Sequence, residues 1–213
     1  CGNRVLMYGC GIGPVSLPKN RKMAGRVIDR HADLITLRDP GSVDELRAMG
    51  VSRPEIEVTA DPALLLEPAR SESVDGYLAT HGLDPSGKYA MFVLRPWPGL
   101  EAKLEDIAAA AATLYESDGL MPVFLAMEPG KDLAVCEKIA AMLDCPSHIL
   151  SVPDDGHMIV GMMGRMQVVI SMRLHALIFA SGQGVPLVGI VYDPKVSGFM
   201  DYLLLDFLYF YLP

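Results

Sequence analysis

The chain has 213 residues, 51% of them hydrophobic and 21% charged, which is too much apolar material for a disordered segment and enough for one large or two modest domains. Its net charge of −8 excludes the broad basic field that tracks nucleic acid or anionic lipid. An anionic ligand therefore has to be held by a few local cations.

The four cysteines, Cys1, Cys10, Cys136 and Cys145, lack the short spacing of zinc knuckles, and no metal site is expected. With no secretory pattern visible, they are expected as reduced thiols in a cytosolic protein. The opening "CGNRVLMYGC" has neither the flanks of a signal peptide nor a start methionine, so a segment is expected to precede it. No apolar run reaches the roughly 18 to 20 residues that span a bilayer. The nearest, the tail "YLLLDFLYFYLP", is short and broken by Asp206, and its reading stays open between a strand and an interfacial segment.

In chain order, "RVLMYG" reads as a strand, "MAGRVIDRHA" as a helix, "LITLRD" as a strand, "SVDELRAMG" as a short helix and "IEVTAD" as a strand. Near-continuous apolar runs separated by amphipathic segments are the pattern of buried parallel strands with crossover helices. Ser42 and Glu45 form a capping-box pattern at the start of the short helix, and Gly50 is its stop signal. The polar, proline-bearing stretch after "DPALLLEPARSES" reads as a linker.

A second unit follows. "YAMFVLRPW" is read as a strand, "LEDIAAAAATLYESDG" as a helix, "MPVFLAM" as a strand, "DLAVCEKIAAMLD" as a helix and "SHILSV" as a strand. Next come the helix "HMIVGMMGRM", the strand "QVVIS", the helix "LHALIFASGQG" and the strand "PLVGIVYD". The alternation predicts a doubly wound α/β fold. The expected domains are 1–68, 69–202 and a tail over 203–213.

In open parallel sheets, ligands sit beyond the carboxyl ends of strands. "MRLH" follows one predicted strand and "YDPK" the next, so the topology brings Arg173, His175 and Lys195 to one rim. A helix start favours negative charge and arginine offers bidentate contacts, as a phosphate or carboxylate requires. A cap with a local salt bridge at Arg173, and a turn shaped by Asp193 and Pro194, are the competing readings. The residues alone lead as far as an anion-binding α/β protein.

The segments "YGCGIGP", "DLITLRDPGSVDELRAMGV", "IEVTADPALLL", "VLRPW" and "ISMRLHALIFASGQGVPLVGIVYDPKV" resemble, in order, the pattern of the polysaccharide pyruvyl transferase family, and look closest to its CsaB-type cell-wall enzymes. The resemblance implies a GT-B-like fold of two Rossmann-type, doubly wound parallel-sheet domains, the N-terminal one only partly present. It further implies transfer of the enolpyruvyl group of phosphoenolpyruvate to a sugar, forming a pyruvate ketal and releasing phosphate, with no cofactor. The implied acceptor is N-acetylmannosamine in a lipid-linked precursor of a secondary cell-wall polymer, which in turn anchors surface-layer proteins. The enzyme would then work in the cytoplasm, in peripheral contact with the inner membrane face. A Gly-rich N-terminal segment of the family is missing, and the tail after Tyr202 departs from its pattern.

Ketal formation needs one proton shuttle and several fixed cations. His175, matching the family's RLH histidine, is the expected acid/base. Lys195 and Arg173 are expected on the donor's anionic groups, with Arg38, Arg21 and Arg95 as further cleft cations; Trp97 is open between a stacking surface for sugar and, more usual for tryptophan, a packing residue. Arg38 has an alternative partner in Asp39 or Asp61. Gly11 and Gly13 of "GCGIGP" are expected to let the backbone approach a ligand; their spacing does not make a dinucleotide motif. His31, His81, His148 and His157 are read as structural. A nucleotide-sugar enzyme of GT-B type would use the same rim for a diphosphate, and a non-catalytic carbohydrate-binding module is the third reading.

Overall fold

A computed structural model describes residues 2–205 and 208–212. The chain divides into two units, Cys1–Pro62 with Ser197–Asp206 and Ala63–Val196 with Phe207–Pro213. The first carries β1 (Leu6–Cys10), α1 (Pro18–His31), β2 (Leu34–Leu37), α2 (Gly41–Ala48) and β3 (Glu55–Val58). Its sheet runs β1-β2-β3, all parallel. Ile35 and Leu37 of β2 pack with Leu46 of α2, Ala32 and Val51 to form its core.

The second unit holds α3 (Ser71–Thr80), β4 (Tyr89–Val93), α4 (Leu104–Asp118), β5 (Met121–Ala126), α5 (Pro129–Ala140), β6 (His148–Ser151), α6 (Gly156–Met163), β7 (Val168–Ser171), α7 (Leu174–Gly182), β8 (Leu187–Val191) and β9 (Tyr209–Tyr211). A further helix, α8 (Pro194–Tyr202), starts in this unit and continues into the first. The six strands lie in the order β6-β5-β4-β7-β8-β9, and every pairing is parallel. All five residues of β4 are buried, because helices cover both faces of a central parallel strand. Phe92 pairs in register with Phe124 of β5, and their rings meet at 5.4 Å. The alanine-rich α4 carries Glu105 and Asp106 in its first turn, where carboxylates favour the helix dipole. It ends at Gly119 with φ +67°, where the N–H of Leu120 returns to the Leu114 carbonyl, a closure that needs a left-handed residue.

Several local expectations are corrected. The stretch read as a linker contains α3, whose buried Val74 and Leu78 are its only apolar anchors among polar neighbours. The first helix begins at Pro18, five residues before the expected start, with proline at a first-turn position where its missing N–H costs nothing. Ser42 does not cap α2. Asp39 does so instead, its Oδ1 accepting from the Ser42 N–H at 2.8 Å, while Glu45 turns away to Arg21. "YDPK" opens α8 rather than forming an isolated turn: Asp193 Oδ1 accepts from the Lys195 N–H at 3.0 Å. Within the tail, Tyr209–Tyr211 joins β8 as β9, and residues 206, 207 and 213 lie outside the described residues.

Candidate functional site

In the second unit the chain passes β4, β5 and β6 in one direction, then returns past β4 to build β7, β8 and β9 on its other side. The loops after β4 and β7 therefore diverge and leave a crevice at the carboxyl ends, the place where open α/β sheets bind ligands. Arg95 and Trp97 follow β4, Arg173 and His175 follow β7, and Tyr192 and Lys195 follow β8. Three neighbouring strands thus deliver these side chains to one edge.

Arg173 is committed to protein carboxylates. Its Nη2 donates to Asp132 at 2.6 and 2.7 Å and to Glu128 at 3.0 Å. Asp132 is 0% exposed and Arg173 17%, so the pair lies where water screens little. Desolvation works against the Arg173 charge, but the hydrogen bonds it donates to Asp132 and Glu128 outweigh it and hold its pKa above the ordinary value. The Glu128 carboxyl is held below its ordinary range by the Lys131 and Arg173 hydrogen bonds. Asp132 also accepts the Glu128 N–H at 2.9 Å, which closes the first turn of α5, and the Arg173 bonds tie that turn to the start of α7. One guanidinium facing two carboxylates offers no surplus positive charge to a ligand, and Arg173 shapes the loop instead.

Ser171 completes that turn. It is buried, its Oγ accepts from the Arg173 N–H at 2.8 Å, and the hydroxyl lies 3.0 Å from the Arg173 carbonyl. Fixing the backbone at 171–173 sets where α7 begins, and His175 stands exposed in its first turn, with its ring 6.1 Å from Phe179. The geometry leaves His175 accessible from solvent on a rigidly held helix start.

Arg95 and Lys195 differ from Arg173 in their partners. Arg95 forms no ion pair among the described residues; its Nη1 donates to the Tyr192 hydroxyl at 3.1 Å. Its guanidinium lies over the rings of Trp97 and Tyr192 at 5.5 and 5.1 Å. Lys195 is 42% exposed, 3.9 Å from Asp193 and 5.3 Å from the centroid of the Tyr192 ring. The positive charge offered at this edge therefore comes from Arg95 and Lys195.

The remaining expected residues belong to the first unit. Arg38, after β2, donates to Asp61 at 2.7 Å, the alternative partner named from the sequence. Its guanidinium fills the space beside Gly11, where an added Cβ would meet Arg38 Nε at 2.8 Å. Gly11 is thus small to admit Arg38. Gly13 has nothing within 4 Å of such a Cβ. The glycine with a backbone reason is Gly9, at φ +60°, whose missing side chain makes room for Pro62. Arg21 of α1 is hydrogen-bonded to Glu45 of α2.

Sequence reasoning missed Ser171, Asp132, Glu128 and Tyr192. Ser171 carried a signal, a hydroxyl residue closing a strand three positions before a helix. Asp132 lies 41 positions from Arg173 and carried none. Cys136, buried near Asp132, has its thiol pushed up to about 12 by desolvation, with the Asp132 charge adding, which leaves no thiolate nucleophile there at neutral pH. Among the described residues no group of three or more His, Cys, Asp or Glu is placed to hold a metal ion, and no helix is long and apolar enough to cross a membrane.

A family model described as polysaccharide pyruvyl transferase matches residues 1–194. The fold is similar to that of the UDP-GlcNAc 2-epimerase from Methanocaldococcus jannaschii, with TM-score 0.66 at 10% identity, over 98% of this chain and 59% of that one. It is also similar to Anabaena Alr3699/HepE in complex with UDP-glucose, with TM-score 0.60 at 12% identity, over 93% and 55%. A glycosyl transferase family 9 protein from Veillonella parvula DSM 2008 gives TM-score 0.52 at 14% identity, over 91% and 66%. The chain spans less than two-thirds of each of these solved chains. The likeness is one of fold: Rossmann-like α/β units with parallel sheets, part of a GT-B fold.

Proposed function

The chain belongs to the polysaccharide pyruvyl transferase family, and on that premise we propose that the edge of its second unit binds phosphoenolpyruvate and transfers the enolpyruvyl group to a sugar. The observation that carries this reading is the pairing of two cations not matched by buried carboxylates, Arg95 and Lys195, with the exposed His175 around one strand crossover. A compact donor with a phosphate and a carboxylate needs two such charges, and the chemistry needs one group that moves a proton near neutral pH.

His175 gives its proton to the methylene carbon of the donor, and the central carbon takes on oxocarbenium character. A sugar hydroxyl adds there and returns a proton to His175. A second hydroxyl of the same sugar then forms the second C–O bond as the C–O bond to phosphate breaks, and its proton leaves with the phosphate. One donor and one diol give one ketal and one inorganic phosphate, without change of oxidation state. Lys195 and Arg95 serve the donor's anionic groups throughout, and Arg173 acts indirectly by fixing the loop. The acceptor in this reading is N-acetylmannosamine of a lipid-linked cell-wall polymer precursor, as in the CsaB type, met at the inner membrane face.

A second reading, a sugar-nucleotide enzyme, draws on the fold likeness to Alr3699/HepE, solved with UDP-glucose. Calorimetric titration separates the two. Phosphoenolpyruvate should bind saturably, Lys195→Ala should weaken it about 10- to 100-fold, the scale of one charged hydrogen bond, and His175→Ala should bind within a few-fold yet lose roughly 10²- to 10⁴-fold in turnover. Binding of UDP-glucose with none of phosphoenolpyruvate would replace this reading with the second.

A further inference from the structure

Tyr192 has no chemical step to perform in the scheme above, yet it touches both Arg95 and Lys195. Its ring packs against a hydrophobic cluster of the second unit, so it is anchored, and it stands edge-to-face with Trp97 at 4.7 Å. Among the described residues its hydroxyl is the one hydrogen-bond partner of the Arg95 side chain, whose Nε is buried and unbonded. The Arg95 guanidinium and the Lys195 ammonium lie 5.1 and 5.3 Å from its centroid, within the range in which a ring face attracts a cation. Strands β4 and β8 both flank β7, so the Arg95–Tyr192 bond reaches across the end of β7, where the His175 turn begins.

We propose that Tyr192 is the positioning residue of the anion site: its hydroxyl fixes Arg95, its ring holds Lys195, and two mutually repelling cations become one receptor for a small ligand with two anionic groups. This rests on the donor-site reading above and deepens it. The hydroxyl and the ring have separable tasks. Tyr192→Phe releases Arg95 alone, whereas Tyr192→Leu also removes the surface under Lys195.

The test is calorimetry with phosphoenolpyruvate and, separately, inorganic phosphate on the full chain and on Tyr192→Phe, Tyr192→Leu, Arg95→Ala, Lys195→Ala and the doubles of Tyr192→Phe with each. Tyr192→Phe should weaken phosphoenolpyruvate about 3- to 10-fold, the scale of one neutral hydrogen bond, with an unchanged melting temperature. It should raise KM and leave kcat. The loss should vanish on the Arg95→Ala background and persist on Lys195→Ala, as a specific contact requires. Tyr192→Leu should weaken binding roughly 30-fold or more. Affinities within twofold of the parent in both Tyr192 variants, or a Phe effect that is undiminished without Arg95, would overturn the proposal. Were phosphate bound but phosphoenolpyruvate not, with the Tyr192–Arg95 coupling intact on phosphate, the donor reading would fall and the role of Tyr192 would stand. Binding of neither anion by the parent protein would sink both.

Discussion

Arg173 illustrates why a cation at a ligand edge need not be a ligand clamp. Its partner Asp132 is wholly buried, and removing one member of a buried ion pair leaves the other charge uncompensated, at a cost of about 3–5 kcal/mol. Arg173→Met is therefore expected to destabilise the protein by that amount in denaturant titration. Adding Asp132→Asn should recover most of the loss, since a neutral amide still accepts the Glu128 N–H and nothing charged remains buried. A ligand-binding role predicts the reverse: weakened phosphoenolpyruvate binding in Arg173→Met with stability unchanged, and no recovery from the second change. The outcome decides between two chemistries that the "RLH" stretch admits equally.

At the scale of elements, an ion pair joins the helices of the first unit beside the apolar core they share. The Arg21–Glu45 pair links α1 to α2, and Glu45 also accepts the Val15 N–H at 3.4 Å. The Arg21 hydrogen bond, aided by Val15 and opposed by desolvation, holds the Glu45 carboxyl below its ordinary 4.5. The folded state then binds this proton less tightly than the unfolded state, so the stabilisation is complete above about pH 4.5 and is lost as pH falls through the folded value. Arg21→Ala should cost on the order of 1 kcal/mol at pH 7, and the gap from the parent should close as pH falls below 4.5. A gap in denaturation midpoint that stays constant with pH would show that Arg21 acts through something other than the Glu45 carboxylate. The same pair explains a misreading. Ser42 and Glu45 have capping-box spacing, but a competing cation 24 positions away takes the glutamate, and Asp39 supplies the cap. Elements announced by apolar periodicity were legible, as was the delivery of Arg95, Arg173 and Lys195 to strand ends. Helix α8 was not, because aspartate followed by proline signals a turn and a helix start alike. Pairings such as Arg173 with Asp132 depend on which strands become neighbours, and no local pattern encodes that.

For the whole molecule, the two units differ in how much backbone is locked away. The second has a six-stranded parallel sheet whose β4 is buried along its full length. The first has three strands, with Leu6 and Tyr8 of its edge strand β1 54% and 61% exposed. Local opening is easiest where few apolar contacts must be broken, so amides of β1 and β3 should exchange with solvent well before those of β4, β5 and β7. A ligand held at the edge of the second unit stabilises the states that bind it, by about 2.7 kcal/mol at a hundredfold excess over Kd. Saturating phosphoenolpyruvate should therefore slow exchange in β4, β7 and β8 and in the loops that follow them, because opening any of these dismantles the receptor built from Arg95, Tyr192 and Lys195. Opening of β1 or β3 leaves that receptor in place, so their exchange should stay as it was. Hydrogen exchange followed peptide by peptide checks both parts. Equal protection of the two sheets in the free protein would refute the first. Ligand protection that falls on β1 and β3 while sparing β7 and β8 would move the donor site out of the second unit and take the roles of Arg95, His175 and Lys195 with it.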